Sequence, residues 1–474
     1  MIAHTRRDFL ALAASAAAAL PLRALAQAPA EKIGGTLTID PAVSGPTLPV
    51  DYTGLSYEAA QLANPAFFSA ANKALIGLFR ELTPHGVLRI GGGSSEFTTY
   101  SATASNTPPP FETFGPDTSK TTKSGTITTA PALGNLRAFL DATGWTCLYG
   151  LNLGQGTKEN AATEAEAVHR ILGPRLAAFQ IGNEPDSFRN RYRPASYTPE
   201  DFIHEWLDFH AAIVARVPNA RFAGPDISNK LSYLTAFAAI APQHPDIAFL
   251  SGHYYAMGPA GNPAATLDNL LAPNPALTTL KWSAIPTIQD AVRVAKLPFR
   301  VTEANSCWNG GQPGASDVFG SALWCADTML HFASLGFAGV NLHGGGNGIY
   351  SPIVGAPSTG FTKRPEYLGI QFAQHFAGAT LLSSTLNCDE PRVTAYAART
   401  PHGERLIAII NKTNIAAELR LVDPSIDGTH WRATILTAAA LDAKTAQFRD
   451  APFRLNRRTP ISIDPHSAML LTNG

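Results

Sequence analysis

Between residues 50 and about 375 the chain alternates short apolar runs with longer stretches of helical periodicity, the pattern of βα units rather than of a sandwich. Eight apolar runs stand out, at 52–57, 87–90, 146–151, 176–181, 221–223, 247–250, 299–301 and 339–342. The stretches between them are apolar on one stripe and polar on the other, as at 201–217, 317–335 and 364–376. Eight such units predict an α/β fold, the (β/α)8 TIM barrel. A doubly wound open sheet alternates in the same way, but it rarely needs eight repeats, and no phosphate-binding glycine fingerprint follows the first run. From about residue 379 the period shortens to that of strands, at 393–397, 406–410, 419–422 and 431–436. This predicts a C-terminal β-sandwich domain, completed by an N-terminal strand at 33–40.

The expected organisation is a signal peptide over 1–26, N-terminal strand residues over 27–49, the barrel over 50–377 and the β-sandwich over 378–474. The first segment carries Thr5-Arg6-Arg7-Asp8-Phe9-Leu10, a twin-arginine pattern, then an alanine- and leucine-rich stretch and Ala24-Leu25-Ala26 as an A-x-A cleavage site. Its apolar part, 11–22, falls well short of the roughly 20 residues needed to span a bilayer, so cleavage and export to the periplasm or medium are expected, with no stable membrane anchor. Residues 97–130 form a Ser/Thr/Pro-rich insertion after the second run, expected to wall a pocket.

Composition narrows the partners. With 36 Lys and Arg against 36 Asp and Glu the formal charge is zero, so no basic field marks a nucleic-acid or membrane-surface protein, and a sulfated polyanion is a poor substrate candidate. The four cysteines, at 147, 307, 325 and 388, form no C-x-x-C pair, which leaves buried thiols or at most two disulfides. Only His253 and His343 sit at the ends of apolar runs, and no H-x-H or H-E-x-x-H occurs, so no metal and no cofactor is expected. A G-x-S-x-G elbow is missing too; the nearest approach, Gly92-Gly93-Ser94-Ser95, lacks the second glycine.

In a barrel of this kind the carboxyl ends of the strands form the active face, and here all eight are polar. In order they carry Glu58; Arg89 with Gly91 to Ser94; Asn152; Asn183 and Glu184; Asp226; His253, Tyr254 and Tyr255; Glu303 and Asn305; and His343 with Asn347. Retaining hydrolysis of a glycosidic bond requires two carboxyl groups roughly 5–5.5 Å apart, one protonating the leaving oxygen and one attacking the anomeric carbon. Glu184 and Glu303, three βα units apart, are placed to supply that pair across the barrel mouth. Asn183 is suited to bond a sugar 2-hydroxyl whose contact strengthens as the oxocarbenium develops. Arg89 and a hydroxyl from Tyr254 or Tyr255 are the candidates for keeping Glu303 ionised, while His253 reads equally as a core histidine or a substrate contact. Glu184 must start protonated, favoured by apolar surroundings and the charge of Glu303.

Gly182-Asn183-Glu184-Pro185 and the run Glu303 to Gly311, EANSCWNGG, resemble glycoside hydrolase family 79, the β-glucuronidase and heparanase group of clan A. The resemblance covers nearly the whole chain after the signal segment. Further matches are Gly54 to Glu58, Leu88 to Gly92, His253 to Tyr255, and Gly346-Asn347-Gly348-Ile349-Tyr350. It implies a barrel with a β-sandwich built from both chain ends, no metal, and retaining hydrolysis of a terminal or internal β-linked glucuronic acid in a glucuronide-bearing saccharide or glycoconjugate; the missing basic field favours an exo-acting β-glucuronidase among these. By position Glu184 is then the acid/base and Glu303 the nucleophile. Glu58, Gly92, Ser94, Asn183, Tyr254 and Trp308 fall among the sugar-binding residues, and Tyr350 with the N–H groups of Gly348 and Ile349 meets the uronate carboxylate. The chain departs from the family at Trp308, where tyrosine is usual. Indole has one N–H and more bulk, which either keeps the carboxylate contact or turns the pocket toward a 4-O-methylated or neutral sugar. The competing readings are another clan A retaining enzyme, such as an arabinofuranosidase or xylosidase, and a barrel that binds carbohydrate without turnover.

Overall fold

The computed structural model describes residues 32–103, 110–114, 120–273, 282–344, 348–424, 430–455 and 459–473. The signal segment 1–26 and residues Gly346 and Asn347 of the last motif lie outside these. Eight parallel strands close on one another: β1 (Thr53–Glu58), β2 (Val87–Gly91), β3 (Thr146–Leu151), β4 (Leu176–Ile181), β5 (Phe222–Ile227), β6 (Ile247–Pro259), β7 (Phe299–Trp308) and β8 (Val340–His343). β8 returns to β1 through pairs from Val340↔Thr53 to His343↔Ser56, which completes the barrel. The helices that follow them in turn are α1 (Lys73–Leu82), α2 (Ala130–Thr143), α3 (Lys158–Leu172), α4 (Pro199–Arg216), α5 (Leu231–Ile240), α6 (Ile285–Ala295), α7 (Phe319–Ser334) and α8 (Pro365–Gln374).

Local chemistry sets these boundaries. α1 buries Leu75, Ile76, Phe79 and Leu82, one stripe at helical spacing, and Asn72 caps it by accepting the Leu75 N–H. Thr198 and Asp201 cap α4 reciprocally, with Pro199 at its first position where no N–H is needed. β6 and β7 run well beyond the ends expected at 250 and 301. Polar residues end an exposed strand, but these are buried and face the barrel mouth, so the ladder continues through His253↔Glu303, Tyr255↔Asn305 and Met257↔Cys307. All four cysteines are free thiols.

The C-terminal strands hydrogen-bond in one nine-stranded, mostly antiparallel sheet, into which Ile33–Thr47 inserts between Thr380–Cys388 and Ala417–Val422. Strands distant in that order, bearing Leu37, Ile409, Leu419, Trp431 and Leu471, bury their side chains in one shared core, so the sheet curls over on itself. It docks on α7. The N–H groups of Phe319 and Gly320, which open that helix, donate to Ala443 and Leu441 carbonyls at 2.8 and 2.9 Å. Asp327, buried in the same helix, accepts from Lys412 Nζ at 2.5 Å, Thr394 Oγ1 at 2.6 Å and Tyr396 OH at 2.8 Å.

Removing one partner of a buried ion pair strands the other charge, a loss of about 3–5 kcal/mol. Lys412→Ala should therefore lower the free energy of urea unfolding by about that amount; a change of less than about 1 kcal/mol, the size of a surface pair, would mean the contact does not hold the two parts together.

Candidate active site

Arg89 lies on β2 at 1% exposure, and each of its five N–H groups has an acceptor. Nε donates to Gln180 Oε1 at 2.8 Å. One terminal nitrogen donates to Ser56 Oγ at 3.0 Å and Glu303 Oε2 at 2.7 Å; the other donates to Asn183 Oδ1 at 2.7 Å and Asp226 Oδ2 at 2.6 Å. Because a guanidinium has only donors, it also fixes the Asn183 amide with its oxygen inward. The Asn183 Nδ2, without a partner among the described residues, is thereby left for the cleft that Asn183 lines.

Glu303 reaches this position through an irregularity. β6 and β7 pair Gly252 with Val301 and then His253 with Glu303, so Thr302 is an extra residue in β7. The bulge turns two successive side chains inward: Thr302 donates to Asp226, and Glu303 faces the cleft. Tyr255 OH donates to Glu303 Oε1 at 2.7 Å, and His343 Nδ1 stands 3.7 Å from Oε2. Burial alone raises the Glu303 carboxyl; the charges of His343, His253 and Arg89 and the Tyr255 hydroxyl overcome it and bring it down to about 2.

Glu184 is held differently. Its backbone adopts the left-handed conformation, φ 52°, and its N–H donates to the Asp226 carbonyl at 3.0 Å. Its Oε1 meets His253 Nδ1 at 2.9 Å, while His253 Nε2 lies 3.1 Å from Asp226 Oδ2. Burial raises the Glu184 carboxyl, and the negative charge of Glu303 adds to that; His253 opposes them, and the net shift is upward. Burial disfavours the imidazolium of His253, yet Asp226 and Glu303 outweigh it and lift it to about 10, so Nδ1–H donates to Glu184. Two carboxyl groups facing one cleft are thus pushed to opposite sides of the ordinary range.

Glu58 completes the floor. Ser94 donates to its Oε2 from both N–H, at 2.8 Å, and Oγ, and His343 Nε2 is 3.6 Å from Oε1. Gly92 has φ 71°, and a Cβ there would fall 2.6 Å from the Glu58 carboxyl carbon, so only glycine lets Glu58 approach. On the other rim Trp308, Asn309 and Gly310 line the cleft together with Gly348 and Tyr350, and the Tyr350 N–H donates to the Gly310 carbonyl at 3.3 Å. Arg364 donates to the carbonyls of Gly348 and Ile349, the latter at 2.8 Å. Since a peptide N–H points opposite its own C=O, this clamp directs the Ile349 N–H away from Arg364.

The cleft has a volume of about 660 Å³, within the range of small-molecule sites. Of the residues named from sequence, Glu58, Asn183, Glu184, Tyr255, Glu303, Trp308, His343, Gly348 and Tyr350 line it, and Ile349 is not among the lining residues. Arg89 and His253 lie beneath, and Gly92 and Ser94 act on Glu58. Tyr254 is a correction: strand alternation turns it to the outer face of β6, where its ring meets Phe332 of α7 at 5.1 Å, so Tyr255 alone of the two reaches Glu303. The two ends of the insertion pair as Thr98–Ser101 with Thr126–Thr129 and do not line this cleft, while the side chains of 104–124, on which the expected pocket wall chiefly falls, lie outside the described residues. The sequence reading did not single out Gln180, Ser56, Glu96, Arg191 or Arg364. Gln180 had a signal, a lone polar residue inside the apolar run of β4. Among the described residues the one grouping of metal-ligand type is His210, His244 and Asp246, at the opposite end of the barrel, where His210 already bonds Asp246 at 2.7 Å.

No family model matches the chain. It is similar to a β-glucuronidase of Aspergillus niger, 26% identical over 401 residues that cover 74% of this chain and 68% of the relative. A β-glucuronidase of Neurospora crassa is 26% identical over 359 residues, 69% of this chain and 62% of the relative. The chain thus spans about two thirds of the length of the curated relatives it matches. Among solved structures, a 4-O-α-L-rhamnosyl-β-D-glucuronidase from Fusarium oxysporum superposes with a TM-score of 0.67 at 17% identity, covering 93% of this chain and 100% of that one. A family 51 arabinofuranosidase from Xanthomonas axonopodis gives 0.66 at 14%, covering 94% and 100%. These two likenesses establish the shared fold.

Arg89→Gln removes the cation nearest Glu303 and Asp226. The Glu303 carboxyl should then titrate above about 2, followed by carbon-13 NMR of the side-chain carboxyl. An unchanged titration would show that the histidines and Tyr255 suffice.

Proposed function

We infer that this chain is a retaining glycoside hydrolase that removes a terminal β-linked glucuronic acid, with Glu303 as nucleophile and Glu184 as acid/base. The observation that carries this reading is the opposed setting of the two carboxyl groups in one cleft, Glu303 pushed down by its cationic neighbours and Glu184 pushed up by burial and the charge of Glu303. In the first step the Glu303 carboxylate attacks the anomeric carbon while Glu184 gives its proton to the glycosidic oxygen, and the aglycone leaves. In the second step Glu184, now a carboxylate, takes a proton from water. That water displaces Glu303 and releases the sugar with its β configuration. Tyr255 holds Glu303 on one oxygen and Arg89 on the other, so the nucleophile enters the reaction already oriented. Asn183 offers Nδ2 to the 2-hydroxyl.

The uronate is favoured by the relatives' activity and by the rim formed from Trp308, Gly348 and Tyr350, whose hydroxyl and N–H donors suit a carboxylate. Trp308, 40% exposed, takes the position where family members have tyrosine and sets how much room the carboxylate end has. The substrate is then an uncharged-aglycone or saccharide-linked glucuronide. Export by the twin-arginine route, read from Arg6 and Arg7, belongs to the same proposal; among the described residues no helix is long and apolar enough to cross a membrane.

Three assays test the reading together. Aryl β-glucuronide should be hydrolysed far faster than the β-xyloside or α-arabinofuranoside, and the reverse order would sink the uronate assignment. Glu303→Ala and Glu184→Ala should each lower kcat by roughly 10²–10⁴ on an alkyl glucuronide, and on a dinitrophenyl glucuronide, whose departure needs no acid, azide should restore the Glu184 variant and give the β-glycosyl azide. An α-configured azide from that variant would exchange the two roles.

The pH profile follows from signs. Glu184 must be protonated, so its raised value puts an alkaline limb on kcat/KM, with activity lost as pH rises through it. Glu303 must be ionised, so its limb lies on the acid side, near about 2. With a dinitrophenyl glucuronide, whose leaving group requires no proton, Glu184→Ala should lose the alkaline limb of glycosylation; its persistence would assign the limb to another group.

A further inference from the structure

Glu96 has no part in the chemistry described above, and nothing in the run Gly93–Phe97 marks it out. It is 1% exposed, yet no ion pair reaches it among the described residues. Its Oε1 accepts the backbone N–H of Asn183, and its Oε2 accepts that of Gly154. The nearby Arg193 is spent elsewhere, donating to the carbonyls of Gly154 and Leu153 at 2.9 and 3.0 Å and to Glu205 at 2.7 Å. Burial accordingly pushes the Glu96 carboxyl up to about 7, against the two backbone donors and the more distant arginines.

A buried acid without a cation is unfavourable for folding, and a neutral side chain would be easier to bury. What a carboxylate offers here is two acceptor oxygens for two N–H groups that arrive from different loops, one after β3 and one after β4. Glutamine has one acceptor and one donor, and so cannot satisfy both. The loop after β4 has reason to be held. Gly182 at φ 87° and Glu184 at φ 52° flank Asn183 with left-handed residues, a conformation that an L side chain at Glu184 resists. Glu184 has two holds of its own, the Asp226 carbonyl on its N–H and His253 on its carboxyl. Asn183 has Arg89 on its side chain and Glu96 on its main chain. Where the Asn183 Nδ2 points into the cleft is therefore decided by these two contacts.

We propose that Glu96 is a positioning residue of this site, which holds the Asn183 main chain so that the Asn183 amide meets the sugar. It does not touch the substrate and acts through Asn183. The proposal rests on the hydrolase reading above, in which Asn183 strengthens its contact as the transition state forms, so loss of position falls on kcat rather than on KM.

Steady-state kinetics of Glu96→Gln, Asn183→Ala and the double variant on an aryl β-glucuronide, with thermal unfolding of each, decide it. Glu96→Gln should lower kcat by roughly 10–100-fold with KM within about threefold, the scale of a misplaced binding group. In the Asn183→Ala background the same substitution should change kcat by less than about threefold, because the group it positions is gone. A merely structural role would give the same factor in both backgrounds or would appear only as a lowered unfolding temperature; either result, or an unchanged kcat, overturns the proposal. If Glu96→Gln does not fold, Glu96→Asp, which keeps both acceptors at shorter reach, is put through the same cycle with the same expected pattern. Glu184→Ala and Glu303→Ala assayed alongside keep the two claims apart: their inactivity with Glu96→Gln at wild-type rate sinks only this inference, and activity in both sinks the hydrolase reading.

Discussion

The geometry of the barrel mouth depends on one planar cation. Arg89 commits five N–H groups to five side chains, from β1, β4, the turn after β4, β5 and β7. A guanidinium fork has fixed directions, so these acceptors are placed relative to one another as well as to it. Shifting the register of any of those strands by one residue would turn its acceptor to the other face and leave a buried donor unpaired. The barrel supplies the scaffold, and Arg89 sets the spacing of the polar groups inside its end.

That constraint has an electrostatic consequence. Asp226, Glu303 and Glu58 are all pushed below the ordinary carboxyl range by contacts with Arg89, His253 and His343, and the same contacts push His253 and His343 upward. A fourth negative charge on Glu184 has only a share of His253 to answer it, and burial opposes it, so the Glu184 carboxyl is pushed upward while Glu303 is pushed down. The different roles of two identical side chains therefore come from where β4 and β7 end and from what β2 places between them. The bulge at Thr302 and the left-handed turn at Glu184 are the local irregularities that aim them.

Much of this was legible in the residue pattern. The eight runs were visible because parallel strands are buried on both faces and read as unbroken apolar stretches. Their polar ends named Glu58, Arg89, Asn183, Glu184, His253 and Glu303. The true ends of β6 and β7 were not visible, because polar residues there signal a loop in one dimension and a lined cavity in three. Tyr254 and Tyr255 could be separated only once the alternation of β6 was fixed relative to β7. Glu96 left no trace, since its partners are backbone N–H groups that every residue carries. Arg364 was hidden for the same reason, its acceptors being carbonyls of Gly348 and Ile349.

The central claim is that Glu303 forms a covalent bond with the sugar while Glu184 handles the proton. A 2-deoxy-2-fluoro-β-glucuronyl fluoride slows both steps but leaves with little need for acid, so the glycosyl-enzyme accumulates. Peptide mass spectrometry of the inactivated protein should find one glycosyl adduct, on the peptide that contains Glu303. An adduct on Glu184 or on Glu58, or time-dependent turnover with no adduct and an α-configured first product, would contradict the account.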